Sequence, residues 1–550
     1  MPVRPNPDSL RALTLETICV NYDLLVYGCL ERKDVNKLLD SDMEEYKSVT
    51  GPFSEYPSSL LEDLIQMMSE KRGLPKQSLH QLLLPQLQAY TVIMRASRHI
   101  QTQLLVNCKQ LRKLEFTSCK TIQPLFYNKF FANFPFLVIL NLEGTILDNE
   151  AFNTIGRTCS NLRSLNVADS TITDGGLYHL VHTPEEPRVR NISTVNILNT
   201  RLSDEAVAKF TLSHPGLLKL RVKNMSPMFT RIREMTDLQD LKKNNIFQLR
   251  ILNFCEGNVD EKAVQLGLEV CPFTESLVIR QTDLSLNLLK PVSKLTHLTS
   301  LHLGNSSFSQ HNFNFQNGIV PLLKNLSSLL NLTLEKINRV DVLQLGDLCP
   351  KLKYLKLTCI GSFLPVFNPG REYFVNLEEL IILNTRGAHL YTKTIMQLLS
   401  TAFKIQHLRF QFVDTLNDQV WFDILEINPL TNIKSLVFDQ CHSISIFSLD
   451  TLISRNNELD ELSVWSCRFI MDEDKDTVLN LLRMENFSTR FSWYPYTGEE
   501  APIPLEDIED IDDTEEEEEQ EDEDEVPDFM NYWNNVPSFG NRQMNEFNLD

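Results

Sequence analysis

A six-residue frame of the form L-x-x-L-x-L returns fourteen times along this 550-residue chain, at intervals of 23 to 32 residues. The frames begin at Leu111, Leu137, Leu162, Ile192, Leu217, Leu249, Thr274, Leu298, Leu329, Leu352, Leu377, Ile405, Ile433 and Leu459. A period in the twenties makes each repeat one strand followed by a returning helix or turn. No repeat can bury its apolar face alone. Stacking buries a continuous core and leaves a curved, open row of parallel strands. The fold class expected is therefore α/β, a horseshoe solenoid with a parallel concave sheet. At about 4.8 Å per strand, fourteen strands span an inner arc of roughly 65 Å. A surface of that length suits a protein partner better than a metabolite, and it encloses no pocket for chemistry.

The stretch 349–359, CPKLKYLKLTC, shows the pattern within one repeat. Leu352, Leu355 and Leu357 point inward while Tyr354, Lys356 and Thr358 alternate outward, the period of a half-buried strand. Cys119, Thr145, Ser170, Thr200, Thr282, Ser306, Thr385, Cys441 and Cys467 stand three residues past the second apolar strand residue. Small side chains there can tuck inward and bond the turn. A second cysteine position falls three residues before a frame, at Cys108, Cys159, Cys271 and Cys349. The segments ITDGGL (172–177) and LSDEAV (202–207) offer Asp174 and Asp204 as caps for the following helices. These features resemble the cysteine-containing class of leucine-rich repeats found in many ubiquitin-ligase receptors. The match is closest in the first four repeats.

Seven of the eleven cysteines fall on those two repeat positions, so buried thiols explain them better than disulfides. There is no leader-like start and no apolar run near eighteen residues, which points to a cytoplasmic protein, the nucleus remaining open, with no membrane association. The net charge of −21 is unevenly placed. From Glu499 onward there are 21 acidic residues and one basic residue, Arg542, so the tail carries −20 and the body −1. Residues 506–525, EDIEDIDDTEEEEEQEDEDE, repel one another and bury nothing, the composition of a disordered segment. Bulk acidity speaks against general nucleic-acid binding, but only for the tail.

Residues 1–106 lie outside the frame and read as a helical segment that caps the solenoid's first edge. Residues 9–30 place Leu10, Leu13, Ile18, Leu24 and Leu25 at helical spacing. Residues 51–71 read as a turn and then a helix, with Pro57 near its start, Ser58 or Ser59 as cap, and an apolar stripe of Leu60, Leu61, Leu64, Ile65 and Met68. A third apolar stretch, 78–93, contains Pro85, which breaks or kinks a helix. This segment resembles the VHL box of cullin-2 substrate receptors, in particular the leucine-rich-repeat group of the Zer and Zyg proteins. Thr14-Leu15 followed by Cys19 fits the helix that enters elongin C, and an overlapping register begins at Ser9-Leu10. Tyr56-Pro57 followed by Leu60 and Leu64 fits the part that chooses the cullin. The group's armadillo repeats are missing, so its substrates do not transfer. The runner-up resemblance is to an F-box, through YPSSLLEDLIQMM, which would bind Skp1 and cullin-1; the third helix that motif needs is not found between Leu74 and Met94.

The resemblance implies an adaptor-binding set of Leu10, Leu15, Cys19, Pro57, Leu60 and Leu64. For the protein substrate, the third, fifth and seventh residues of each frame face the concave side. Lys219, Arg221 and Lys223 crowd one strand there, joined by Arg280, and frames three to eight supply no carboxylate. His302, Tyr354, His407, Arg409 and Trp465 extend the surface, and Asn141, Asn166, Asn196 and Asn253 recur at the fifth position as a possible polar ladder. No phosphate-binding Gly-Lys loop, His-Glu-x-x-His or Cys-x-x-Cys occurs, so no metal, cofactor or catalytic group is expected. The division anticipated is 1–106 for the adaptor-binding cap, 107–495 for the leucine-rich repeats, and 496–550 for the acidic tail. The function anticipated is substrate recognition for a cullin-RING ubiquitin ligase; the alternative is an interaction scaffold with no ligase link.

Overall fold

The computed structural model describes residues 10–28, 51–71, 76–92, 104–117, 124–181, 189, 191–236, 247–255, 259–306, 313–368, 370–384, 390–484 and 489–496. The acidic tail, Cys119 and Thr385 lie outside these.

Every frame delivers a strand. The first sheet comprises β1 (Ala89–Val92), β2 (Lys113–Phe116), β3 (Ile139–Asn141), β4 (Ser164–Asn166), β5 (Thr194–Asn196) and β6 (Lys219–Arg221). The second comprises β7 (Ile251–Phe254), β8 (Ser276–Thr282), β9 (Ser300–Asn305), β10 (Asn331–Glu335), β11 (Tyr354–Thr358), β12 (Glu379–Leu383), β13 (His407–Gln411), β14 (Ser435–Asp439), β15 (Glu461–Trp465) and β16 (Arg490–Tyr494). Within each sheet the strands lie in sequence order and all pair in parallel. The frames stack without slipping: Tyr354, Glu379, His407, Ser435 and Glu461 form one row of partners. Between β6 and β7 the stack continues through Gln248 N to Pro215 O (3.0 Å), Arg250 N to Leu218 O (2.8 Å) and Met225 N to Asn253 O (2.9 Å). The fold is a leucine-rich repeat solenoid.

The leucines of the frames are the core. Leu111, Leu114, Leu137, Leu140, Leu329, Leu332, Leu355, Leu357 and Leu436 are buried to within 1 %. A returning segment covers them from the convex side. The helix Asn149–Thr158 shows how: Asp148 accepts Ala151 N at 2.9 Å as its cap, and Ala151, Phe152 and Ile155 turn inward. Trp421, on the helix Asp418–Ile427, is fully buried and donates its indole N–H to Ser448 O of the next repeat at 3.1 Å. That bond satisfies the one polar atom of a large apolar side chain.

Among the described residues, Thr145, Ser170, Thr200, Cys441 and Cys467 do tuck in, whereas Ser306 is exposed and donates to Asp283 instead. Ser170 Oγ donates to Val167 O at 2.6 Å and Thr200 Oγ1 to Ile197 O at 2.7 Å; Cys441 and Cys467 lie against carbonyls at 3.5–3.7 Å. Cys108, Cys159, Cys271, Cys349, Cys441 and Cys467 are buried free thiols. Burial alone pushes Cys108, Cys159 and Cys349 up to about 12, which leaves them as inert packing.

The structure departs from the sequence reading at several points along the array. The sheet begins one strand before the first frame: β1 pairs in register with β2, with Leu87 and Tyr90 in the core. The stretch 78–93 is thus a helix ending at Leu82, a turn around Pro85, and a strand. Asp174 and Asp204 do not cap their own helices. Asp174 reaches sideways to accept Ser203 N (2.8 Å) and Ser203 Oγ (2.6 Å) in the next repeat, and Ser203 is the residue that caps, through Ala206 N. Asp418 repeats the device on Ser445 N (2.8 Å) and Ser445 Oγ (2.6 Å). The fifth-position asparagines are mostly not a cross-strand ladder. Asn141, Asn166 and Asn196 each accept the N–H two residues on, at 3.0–3.2 Å, a local turn that ends strands β3 to β5 after three residues. Ser58 does not cap its helix either; its hydroxyl bridges Gln88 N and Glu62.

Candidate functional sites on the concave face and the N-terminal helices

Concave positions are set by strand alternation, so their neighbours follow from the register. On β6, Lys219 is half-buried and Arg221 exposed; Lys223, also exposed, lies in the bend just past the strand. The flanking strands offer Thr194, Asn196 and Leu198 on one side and Ile251, Asn253 and Cys255 on the other, none of them acidic.

Arg280 differs from that group. Its Nε donates to Glu335 Oε2 at 2.8 Å, spanning from β8 over β9 to β10. Gly304 of β9 lies beneath the pair; a Cβ there would stand 2.9 Å from Glu335 Oε2 and 3.2 Å from Arg280 Cγ. The missing side chain is what lets the two meet. His302 Nε2 sits 3.6 Å from the same carboxylate. Burial alone would raise Glu335, but His302 and Arg280 overcome it and hold the carboxyl at about 2. His302 is pushed down by burial, against the pull of Glu335. Arg280 is therefore an internal ion-pair member and not part of a uniformly cationic surface.

Farther along the arc, Tyr354, Glu379 and His407 are partners in register. Burial pushes Glu379 up to about 7 despite Lys356, pushes Tyr354 upward, and pushes His407 down. Arg409 stacks its guanidinium 5.8 Å from the ring of Trp465 and lies 4.0 Å from Asp439. Asp439 accepts Gln411 Nε2 at 2.9 Å, and burial still drives it up to about 6. The structure therefore places Tyr354, His407 and Arg409, and Trp465 on the alternate strands β11, β13 and β15, and adds the carboxylates Glu335, Glu379 and Asp439 on β10, β12 and β14. They occupy the same outward frame positions, the seventh for Glu335 and Asp439 and the third for Glu379.

At the N-terminus, α1 (Leu10–Val20) packs on α3 (Ser58–Lys71) and against α2 (Tyr22–Tyr27), which follows it. Leu15 (5 % exposed) and Cys19 (1 %) lie inside, in one core with Leu61, Leu64, Ile65 and Met68. Tyr22 stacks on Phe53 at 5.5 Å, and Arg11 Nε donates to Asp63 at 2.8 Å. Leu64 is buried, Leu60 half-buried and Pro57 exposed. The opposite side of the same helices is apolar and open: Leu10 is 82 % exposed, Leu13 46 %, Val20 68 % and Leu24 68 %. With Thr17 between them these residues step by three and four, a second stripe along one helical face. Ala89 N bonds Glu62 Oε1 at 3.1 Å, which ties α3 to the first strand of the stack.

No family profile and no curated protein matches the chain. Solved structures do show likeness. A leucine-rich repeat protein of Leptospira interrogans is 17% identical over 76% of this chain and 92% of that one, with a TM-score of 0.36. The complex of Rad7 and Elc1 in yeast is 13% identical over 85% and 96%, also at 0.36. The complex of TLR13 with ssRNA13 is 13% identical over 72% and 64%, again at 0.36. At these values the likenesses carry no argument; the fold rests on the strand register above. Among the described residues no helix is long and apolar enough to cross a membrane, and no group of His, Cys, Asp or Glu is placed to hold a metal.

Proposed function

We propose that the chain is a non-catalytic recognition subunit of a cullin-RING ubiquitin ligase. The concave face takes a protein substrate, and α1–α2 docks onto an adaptor of the elongin C type that is joined to cullin-2. The observation that carries this reading is the open stripe of Leu10, Leu13, Val20 and Leu24. A helix with one apolar face packed and a second one bare suits insertion into a groove on a partner. Leu15 and Cys19 then serve as positioning residues: their burial against α3 aims the stripe outward. Substituting them would loosen the head itself, so the informative variants lie on the stripe.

The test is capture of purified adaptors by the full chain. Wild type should retain elongin C with cullin-2, and Leu10→Ser with Leu13→Ser should lose that capture while keeping the wild-type circular dichroism. Capture of Skp1 with cullin-1 in its place would move the assignment to the F-box reading. Retention of neither adaptor by the folded wild-type protein would contradict any ligase role and leave an interaction scaffold.

A further inference from the structure

We propose that residues 526–539, VPDFMNYWNNVPSF, dock in cis on the last strand of the array, β16, and close the open end of the stack. This contact is independent of the adaptor and of the substrate face.

Three observations carry it. First, the two ends of the sheet are finished differently. At the start, α3 covers β1: Glu62 Oε1 accepts Ala89 N at 3.1 Å, and Ser58 Oγ accepts Gln88 N at 2.7 Å. At the far end, no strand among the described residues pairs with the outer edge of β16. Such an edge offers a row of backbone donors and acceptors to an added strand. Second, the apolar core is unfinished at the same place. Phe491 and Trp493 take the inward positions of β16, in register with Leu462 and Val464. Leu462 and Val464 are fully buried, whereas Phe491 and Trp493 stay half-buried because no further repeat covers them. In the last helix, Asp472–Met484, Leu481 is also half-buried and Met484 is exposed. A stack of repeats stays soluble when its terminal apolar face is covered by a cap.

Third, the chain supplies a cover within reach. Tyr496, two residues past β16, sits against the ring of His442 at 5.4 Å, so the chain leaves the array beside the open edge. Residues 497–525 span up to about 100 Å when extended, against roughly 17 Å for a five-residue strand. Tethering presents the segment at roughly millimolar concentration, which a second copy of the chain would have to match. Phe529, Met530, Tyr532, Trp533 and Val536 give it the apolar and aromatic content of a strand that packs on aromatic side chains. Pro527 and Pro537 bound it, and with no N–H to donate they stop the pairing from spreading. The intervening 506–525, with 16 carboxylates and no base, then forms a solvated loop anchored at both ends beside the last repeat.

Hydrogen exchange of the full chain, compared with the full-length variant Tyr532→Ser with Trp533→Ser, tests this. In the wild type, amides of 529–536 should exchange at least about tenfold more slowly than an unstructured chain. Because the tether sets the local concentration, that protection should be the same across a roughly fiftyfold range of protein concentration. In the variant, amides of 529–536 and of 490–494 should both exchange about tenfold faster, while those of β13 keep their wild-type rates. Protection should persist in about 0.5 M salt, since apolar burial and not charge holds the segment. Four results would overturn the proposal: exchange of 529–536 at the rate of unstructured chain, protection that grows with protein concentration, protection lost in salt, or a variant in which 490–494 exchanges as in the wild type.

Discussion

Single residues explain both what the sequence revealed and what it hid. The inward leucines were legible because burial on a strand allows one residue class at a fixed alternation. The turn that follows was not. The eighth residue of most repeats has a left-handed backbone, and only Gly144 is a glycine there. Asp169, Asn199, Lys336, Cys359, Phe412, Gln440 and Ser466 adopt φ of 47–54° instead. That geometry costs roughly 1–2 kcal/mol for a side-chain-bearing residue. It is retained because the same N–H continues the ladder to the next strand, as in Gln440 N to Trp465 O at 2.8 Å. Stacking imposes the conformation, so no residue type announces it. The concave carboxylates were hidden for another reason: their protonation depends on burial that only the assembled sheet creates. Glu379 has a folded-state pKa raised to about 7, above its ordinary value near 4.5. The folded state then binds more protons than the unfolded one between those values, so stability falls as pH rises through that window. Glu335 runs the other way, its stabilisation present above pH 4.5 and lost on acidification toward 2. The expected outcome is that Glu379→Gln raises the melting temperature at pH 8 and leaves it nearly unchanged at pH 4.5. An equal shift at both pH values would assign the effect to packing.

At the level of elements, the head helices were found by spacing but turned the wrong way. The stretch 9–30 contains two interleaved apolar stripes, Leu15, Cys19, Tyr22 and Val26 on one side and Leu10, Leu13, Val20 and Leu24 on the other. Periodicity reports that a stripe exists, and two stripes on one helix leave its orientation undecided. Packing on α3 decides it. The consequence is a sharp contrast in stability. Leu15→Ala removes a buried side chain and should cost about 2–5 kcal/mol of whatever cooperative unit contains the head. Leu10→Ala, on the open side, should stay within about 0.5 kcal/mol of wild type. Denaturant unfolding of both variants checks the orientation, and similar losses would show that both faces are packed. Strands β1 and β16 were missed at the two ends of the array because Tyr90 and Phe491 stand where the inner repeats carry aliphatic residues. Terminal repeats contact one neighbour only and are under weaker demand for leucine.

At the scale of the whole molecule, repetition does the structural work. Each repeat is held by its neighbours through the ladder, the apolar core and the sideways bonds of Asp174 and Asp418, so the array extends without a central core. What varies is the ornament on the concave rows, cationic at β6 and a buried mixture of acids, rings and guanidinium from β10 to β15. A head that plugs into one partner and a long face that takes another is the division of labour such a molecule is suited to. Hydrogen exchange of the full chain, with and without purified elongin C, tests that division most directly. Amides of residues 10–27 should gain protection when the adaptor is added, with the concave strands unchanged. Protection that appears on the concave strands, or none at all on α1 and α2 at saturating adaptor, would contradict it.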